Sequence, residues 1–286
     1  MRMRRVNAGA PRPTLAACEW IFGGRPLEDT VAAVAAAGYD GLVVVGEPAR
    51  RDVDKLARLA ADAGLSVVGA TSETAGRPTR DLAHPNRALR IEAVAYYQGC
   101  VDLVARLGAT TLGIVPSAEG RVSPISSYAE EWAHAVAAVR EVALYAGEKD
   151  VRLAVEPLNR YETFLVNRVE QACAFAGDVG VDGVGVIADL FHMNIEEPDP
   201  AAALELAGDH LLELHLADSN REGLGSGHVP ARELLGRARA RGFGSGRTLA
   251  VECIAPRAAA SASAEAELTD RFLAQCAQVV NEIFQR

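Results

Sequence analysis

The feature that most restricts what this chain can fold into is a rhythm. Eight short apolar runs recur along it: TLAACEWIF (14–22), GLVVVG (41–46), SVVGA (66–70), TTLGIV (110–115), RLAVE (152–156), GVGVIAD (183–189), LLELHLA (211–217) and TLAVECI (248–254). They are rich in Val, Ile and Leu and too short for buried helices, as strands covered on both faces should be. Between them lie longer, Ala-rich stretches at 27–37, 51–63, 87–107, 128–147, 169–177, 200–207, 230–241 and 265–285, with apolar residues at helical spacing. AAAGYDG, ADAGLS, ARLGATT and RARGFG each place a glycine just after a helical stretch and shortly before a strand. Glycine there accepts the left-handed conformation that stops a helix.

Eight βα units in about 250 residues predict a single closed (β/α)8 TIM barrel over 14–286. A doubly wound sheet also alternates, but it commonly carries GxGxxG after its first strand, and this chain has EWIFGGRP instead. Residues 1–13, basic and proline-bearing, read as a flexible leader without the apolar centre of a secretory signal. The longest apolar run, VAAVAAA at 31–37, falls far short of the roughly 18 residues of a membrane span. No membrane partner is therefore expected, and the chain reads as cytoplasmic. A formal charge of −9 argues against nucleic acid as a partner, since phosphate binding draws on a basic surface. The five cysteines (18, 100, 173, 253 and 276) show no CxxC spacing, and read as reduced core thiols.

Two segments break the rhythm. Residues 71–87 and 116–127 are long polar loops after the third and fourth strands, on the barrel face formed by the strand C-termini, where sites are built. Residues 256–267, PRAAASASAEAE, are low in complexity and read as a pliable connection into the last helix.

The same face collects an unusual set of side chains. Strand five ends in Glu156, strand six in Asp189, strand seven carries His215 and strand eight ends in Glu252, at spacings of 33, 26 and 37 residues. Each gap is about one βα repeat, so four neighbouring strands deliver three carboxylates and one imidazole to one rim. Converging carboxylates repel and are costly to desolvate; a divalent cation removes the conflict. Oxygen donors with one imidazole suit Mg²⁺ or Mn²⁺, with Co²⁺ as an alternative, better than structural Zn²⁺. Glu162, His192 and Arg221 follow at short offsets in the loops beyond these strands, where an arginine and a histidine can meet substrate hydroxyls or an oxyanion.

VEPLNRYET, ADLFHMNIEE and LHLADSNREGLGSGH resemble the signature segments of the ketose 3-epimerases of the D-tagatose and D-psicose type, xylose-isomerase-like TIM barrels. The resemblance rests on E-x5-E, D-x-x-H and H-x5-R with a final Glu on strand eight, and its motifs lie within residues 152–254. It implies that Glu156, Asp189, His215 and Glu252 bind one Mn²⁺ or Mg²⁺ ion. It also implies that Glu162, His192 and Arg221 hold a ketose near its carbonyl. Glu156 and Glu252 would then exchange the C3 proton from opposite faces of a metal-stabilised enediolate. A homo-oligomer, dimer or tetramer, is expected by the same likeness.

The chain departs from that pattern after strand four, where GIVPSAEG offers no aromatic, while EWIF brings Trp20 and Phe22 at strand one. Other keto-polyol substrates stay open on this ground: an inosose, a hydroxypyruvate or a keto-C-glycoside, handled by an isomerase, dehydratase or lyase. A non-catalytic sugar-binding barrel would keep the rim residues but has no use for two opposed glutamates. A DNA-repair endonuclease with three zinc ions would need histidines on strands two and three, and VVVGEP and VVGATSETAG carry none. The glycine-rich GLGSGH (223–228) and GFGSGR (242–247) are weak phosphate signals, the second on the opposite rim. A free ketose or keto-polyol is expected.

Overall fold

The computed structural model describes residues 12–256 and 261–284. Eight strands, β1 (Thr14–Cys18), β2 (Gly41–Gly46), β3 (Ser66–Ser72), β4 (Thr111–Ile114), β5 (Arg152–Val155), β6 (Val184–Asp189), β7 (Leu211–Leu216) and β8 (Thr248–Val251), pair in chain order into a closed barrel. All pairings are parallel, and the ring closes through β1 and β8 with Thr14 opposite Thr248 and Ala17 opposite Val251. Around it lie α1 (Leu27–Ala36), α2 (Val53–Asp62), α3 (Arg87–Arg106), α4 (Tyr128–Gly147), α5 (Val169–Val179), α6 (Leu190–Glu196), α7 (Pro200–Ala207), α8 (Ala231–Ala240) and α9 (Ala262–Phe284). The main core fills the space between strands and helices and includes Tyr97, Phe175 and Phe272, each fully buried.

Local signals start the helices. Asp52, Asn86, Ser127 and Asp199 each accept a hydrogen bond from the amide of Lys55, Ala88, Glu130 and Ala202, satisfying donors that the first turn leaves without partners.

The structure corrects the expected boundaries in three places. The first run does not stay extended to residue 22: Glu19–Phe22 form a short 3-10 turn, with Gly23 in the left-handed region closing it at φ 56°. A helix not anticipated, α6, starts directly from Asp189, whose Oδ1 caps it by accepting from the Phe191 amide at 2.8 Å. The last helix begins at Ala262, so residues 262–267 belong to α9 rather than to a connection, and residues 257–260 lie outside the described residues. Residues 1–11 of the expected leader also lie outside them, whereas Arg12 makes a two-bond ion pair with Asp40 at 2.8 and 3.0 Å.

One irregularity bears on the site. Between β6 and β7 the register steps from Val186 opposite Leu211 to Ile187 opposite Glu213, which leaves Leu212 as a bulge. Leu212 packs against Gly185 so closely that a Cβ there would sit 2.5 Å from Leu212 Cγ. Beyond the bulge, Asp189 pairs level with His215.

Candidate metal centre and active site

The four residues singled out at the strand ends meet. Asp189 closes β6 and His215 lies inside β7, while Glu156 and Glu252 come immediately after β5 and β8. Each of those two glutamates still donates its amide to the neighbouring strand, Glu156 to Ile114 O and Glu252 to Leu216 O, both at 3.0 Å. That last ladder bond fixes where each side chain leaves the sheet, and Pro157, with no N–H, ends the ladder beyond Glu156. One ligand atom from each of the four residues lies within 4.8 Å of the others. Nδ1 of His215 stands 2.9 Å from Glu156 Oε1 and 3.2 Å from Glu252 Oε2. All four side chains are buried.

Three carboxylates in so little space need positive charge. Arg221 supplies one, its Nη1 2.5 Å from Asp189 Oδ2 and its Nη2 2.9 Å from Glu252 Oε2. Burial pushes Glu252 up, yet His215 and Arg221 outweigh burial and hold it well below the ordinary carboxylate range. Among the described residues no arginine makes an ion pair with Glu156. Burial dominates there, and despite His215 its pKa is pushed up to about 7. Burial disfavours a charged His215, but Glu252 and Glu156 overcome it and raise the imidazole. A buried carboxylate on the point of taking a proton, beside two others and an imidazole nitrogen, suits a divalent cation. Bound there, the cation would return Glu156 to the ionised form. The donor set is three oxygens and one nitrogen, which fits a hard or borderline ion.

Glu162, His192 and Arg221 all line a cavity of about 640 Å³ over this cluster, with Glu156 and Glu252 in its wall. Asn159, which sequence reading did not single out, holds two of them in place. Its Nδ2 donates to Glu162 Oε1 at 2.7 Å and its backbone N–H donates to His192 Nδ1 at 3.2 Å. His192 Nδ1 is therefore an acceptor, and the proton sits on Nε2, 3.5 Å from Asp189 Oδ2. Burial lowers the His192 pKa, so it faces the cavity as a neutral imidazole. Arg221 is held in the left-handed region at φ 64°, a conformation costly for a residue with a Cβ and tolerated where the surroundings enforce it. Its guanidinium lies 4.7 Å from the ring of Phe191.

Other parts of the wall were legible only as polar loops. Trp20 lines the cavity, and its indole N–H donates to Glu252 Oε1 at 3.1 Å. Glu73 and Glu119 come from the two long loops and reach the same space. The aromatic surface is supplied by Trp20 and Phe191, whereas Val115 and Glu119 line the wall after β4. Glu213, two residues before His215, bonds its other ring nitrogen at 3.0 Å; a lone acid inside an apolar run offered no signal of that partner. His228 accepts no place in the cavity wall and instead pairs with Ser219, Nδ1 to Oγ at 3.0 Å, in the loop after β7.

The sequence matches the xylose isomerase-like TIM barrel family over residues 31–274. An L-ribulose 3-epimerase of Mesorhizobium japonicum is 31% identical over 220 residues, 76% of this chain and 72% of that protein. A D-psicose 3-epimerase of Agrobacterium fabrum is 29% identical over 208 residues, 70% of this chain and 71% of its own. Among solved structures, a D-allulose 3-epimerase from Methylomonas sp. in complex with D-allulose superposes with a TM-score of 0.84 at 23% identity. The superposition covers 96% of this chain and 98% of that one, and shows the shared fold.

Proposed function

The chain belongs to the xylose isomerase-like TIM barrel family and, within it, to the ketose 3-epimerases, and from that premise we propose that it inverts C3 of a free ketose with the help of one divalent metal ion. The observation that carries this reading is the meeting of Glu156 and Glu252 at one imidazole nitrogen of His215, 2.9 and 3.2 Å away, in the wall of an open cavity. The two glutamates arrive from β5 and β8, strands separated around the ring by β6 and β7. They therefore approach a molecule in the barrel mouth from different sides.

A proton next to a ketone is too weakly acidic to leave at neutral pH unaided. Glu156, Asp189, His215 and Glu252 would hold a divalent ion such as Mn²⁺ or Mg²⁺, which when bound would supply positive charge beside the C2 carbonyl. One glutamate takes the C3 proton on a carboxylate oxygen, and the other returns a proton to the opposite face. Trp20 holds Oε1 of Glu252, which limits the directions that carboxylate can adopt. Arg221, the neutral His192 and Glu162 bind the hydroxyls near the carbonyl, with Asn159 fixing the last two. An unphosphorylated substrate is supported by the charge of the wall: Arg221 is the arginine lining it, already committed to two carboxylates, beside Glu73, Glu119 and Glu162. A single catalytic barrel after a short leader, working in the cytoplasm as a dimer or tetramer, completes the proposal.

The test is deuterium wash-in. In D₂O with Mn²⁺, the wild-type protein should place deuterium at C3 of its ketose, screened over a panel of free pentuloses and hexuloses. Glu156→Gln and Glu252→Gln should each slow exchange by about 10²–10⁴-fold, the range of a lost acid or base. Full turnover by either variant would end the two-glutamate reading. Purified protein that neither carries nor takes up a divalent ion would end the metal assignment.

A further inference from the structure

We infer that Glu213 is a positioning residue: it keeps the proton of His215 on Nε2, so that Nδ1 presents its lone pair to the metal ion. This rests on the metal-dependent reading above. Glu213 precedes His215 by two residues on β7, so both leave the same side of the strand. Its Oε1 lies 3.0 Å from Nε2, while Nδ1 faces Glu156 and Glu252. An ionised carboxylate has no proton to give. A bond between it and Nε2 therefore requires the hydrogen on nitrogen, which leaves Nδ1 bare when the ring is neutral.

The setting gives that bond its meaning. Glu213 is only 3% exposed, on a strand whose six residues are all buried. Among the described residues no lysine or arginine makes an ion pair with it; His215 is its ion-pair partner. An apolar residue would fill the same place without the desolvation cost of a buried acid, so packing does not account for it. A carboxylate bonded to the far nitrogen of a metal-binding imidazole orients the ring and makes the near nitrogen a better donor. The bulge at Leu212 contributes as well, because the register step beyond it sets His215 level with Asp189.

The experiment compares wild type, Glu213→Gln and Glu213→Leu. Mn²⁺ affinity of the chelator-treated proteins is read from the electron paramagnetic resonance signal of free Mn²⁺. Glu213→Leu should bind Mn²⁺ about 10–100-fold more weakly, the usual effect of losing such a partner. Glu213→Gln keeps the shape and one acceptor but not the charge, and should lose less. In the Mg²⁺-loaded wild type, the Nε2–H proton of His215 should resonate far downfield, and in Glu213→Gln it should move upfield. Should Glu213→Leu fail to fold, the isosteric Gln variant still reads both quantities. Unchanged Mn²⁺ affinity and an unmoved resonance in Glu213→Gln would overturn the inference, whatever its thermal stability. Wild-type protein that binds no Mn²⁺ would instead remove the metal-dependent reading, and this inference with it.

Discussion

Replacing Arg221 by methionine should destabilise the metal-free protein far more than the metal-loaded one. The Arg221 side chain is 14% exposed, and its guanidinium bonds two carboxylates from different strands, Asp189 at 2.5 Å and Glu252 at 2.9 Å. Removing one partner of a buried ion pair costs about 3–5 kcal/mol. The lower end applies, because Glu252 keeps His215 at 3.2 Å and the Trp20 indole at 3.1 Å, and Asp189 keeps the Phe191 amide. Methionine has a Cβ, as arginine does, so the strain of φ 64° is the same in both proteins. For a chain of this length, about 3 kcal/mol corresponds to a fall in Tm of roughly 6 °C. With Mn²⁺ bound, the carboxylates have their own cation. What then remains are the contacts of Arg221 with the rings of Phe191 and Trp20, at 4.7 and 5.7 Å, each worth about 0.5–1 kcal/mol. Scanning calorimetry of both proteins, after dialysis against chelator and again in saturating Mn²⁺, gives the four Tm values required. An equal drop in the two states would refute the idea that Arg221 and a metal ion compensate the same charges.

Asn159→Ala removes the amide that orients Glu162 and leaves Mn²⁺ affinity intact; KM should rise about tenfold, as for one lost hydrogen bond to a charged group, and a changed Mn²⁺ affinity would contradict the assigned role. Glu131 offers a pH test away from the site. Burial raises its carboxyl, but the Ser126 amide and Arg121 outweigh burial and hold it below the ordinary value of 4.5. A lowered folded pKa stabilises fully above the unfolded value and is lost as pH falls through the folded one. Glu131→Gln should therefore cost about 2 kcal/mol at neutral pH, with the gap to wild type closing in denaturant titrations below pH 4.5; a gap independent of pH would contradict this. Gly185→Ala puts a Cβ 2.5 Å from Leu212 Cγ and 2.6 Å from His210 O, and should lower stability by about 1–3 kcal/mol. Unchanged stability would mean that the β6–β7 bulge gives way freely.

Much of this molecule is readable from periodicity. Short β-branched runs alternating with Ala-rich helical stretches admit few folds, because each apolar strand needs helices on its outer face and a closed ring leaves no edge uncovered. Glu156, Asp189, His215 and Glu252 were legible because strands have a direction: a polar residue at the C-terminal end of successive parallel strands must reach the same rim. Glu162, His192 and Arg221 followed from their offsets. The 3-10 turn at Glu19–Phe22 was hidden because EWIF is as apolar as a strand. The start of α9 was hidden because a run of Ala and Ser serves a helix and a loop equally well.

The sequence alone determined the barrel and which four residues, Glu156, Asp189, His215 and Glu252, gather at its C-terminal rim, since each depends on spacing along one chain. The tertiary structure decided what those residues meet. Trp20 and Glu252 are joined by a hydrogen bond only because β1 and β8 close the ring. Arg221 bridges Asp189 and Glu252 across β6 and β8. Asn159 reaches His192 from a neighbouring loop. These are contacts across the fold, set by which strands lie side by side and by how deeply each charge is buried. Spacing along a single chain carries neither quantity.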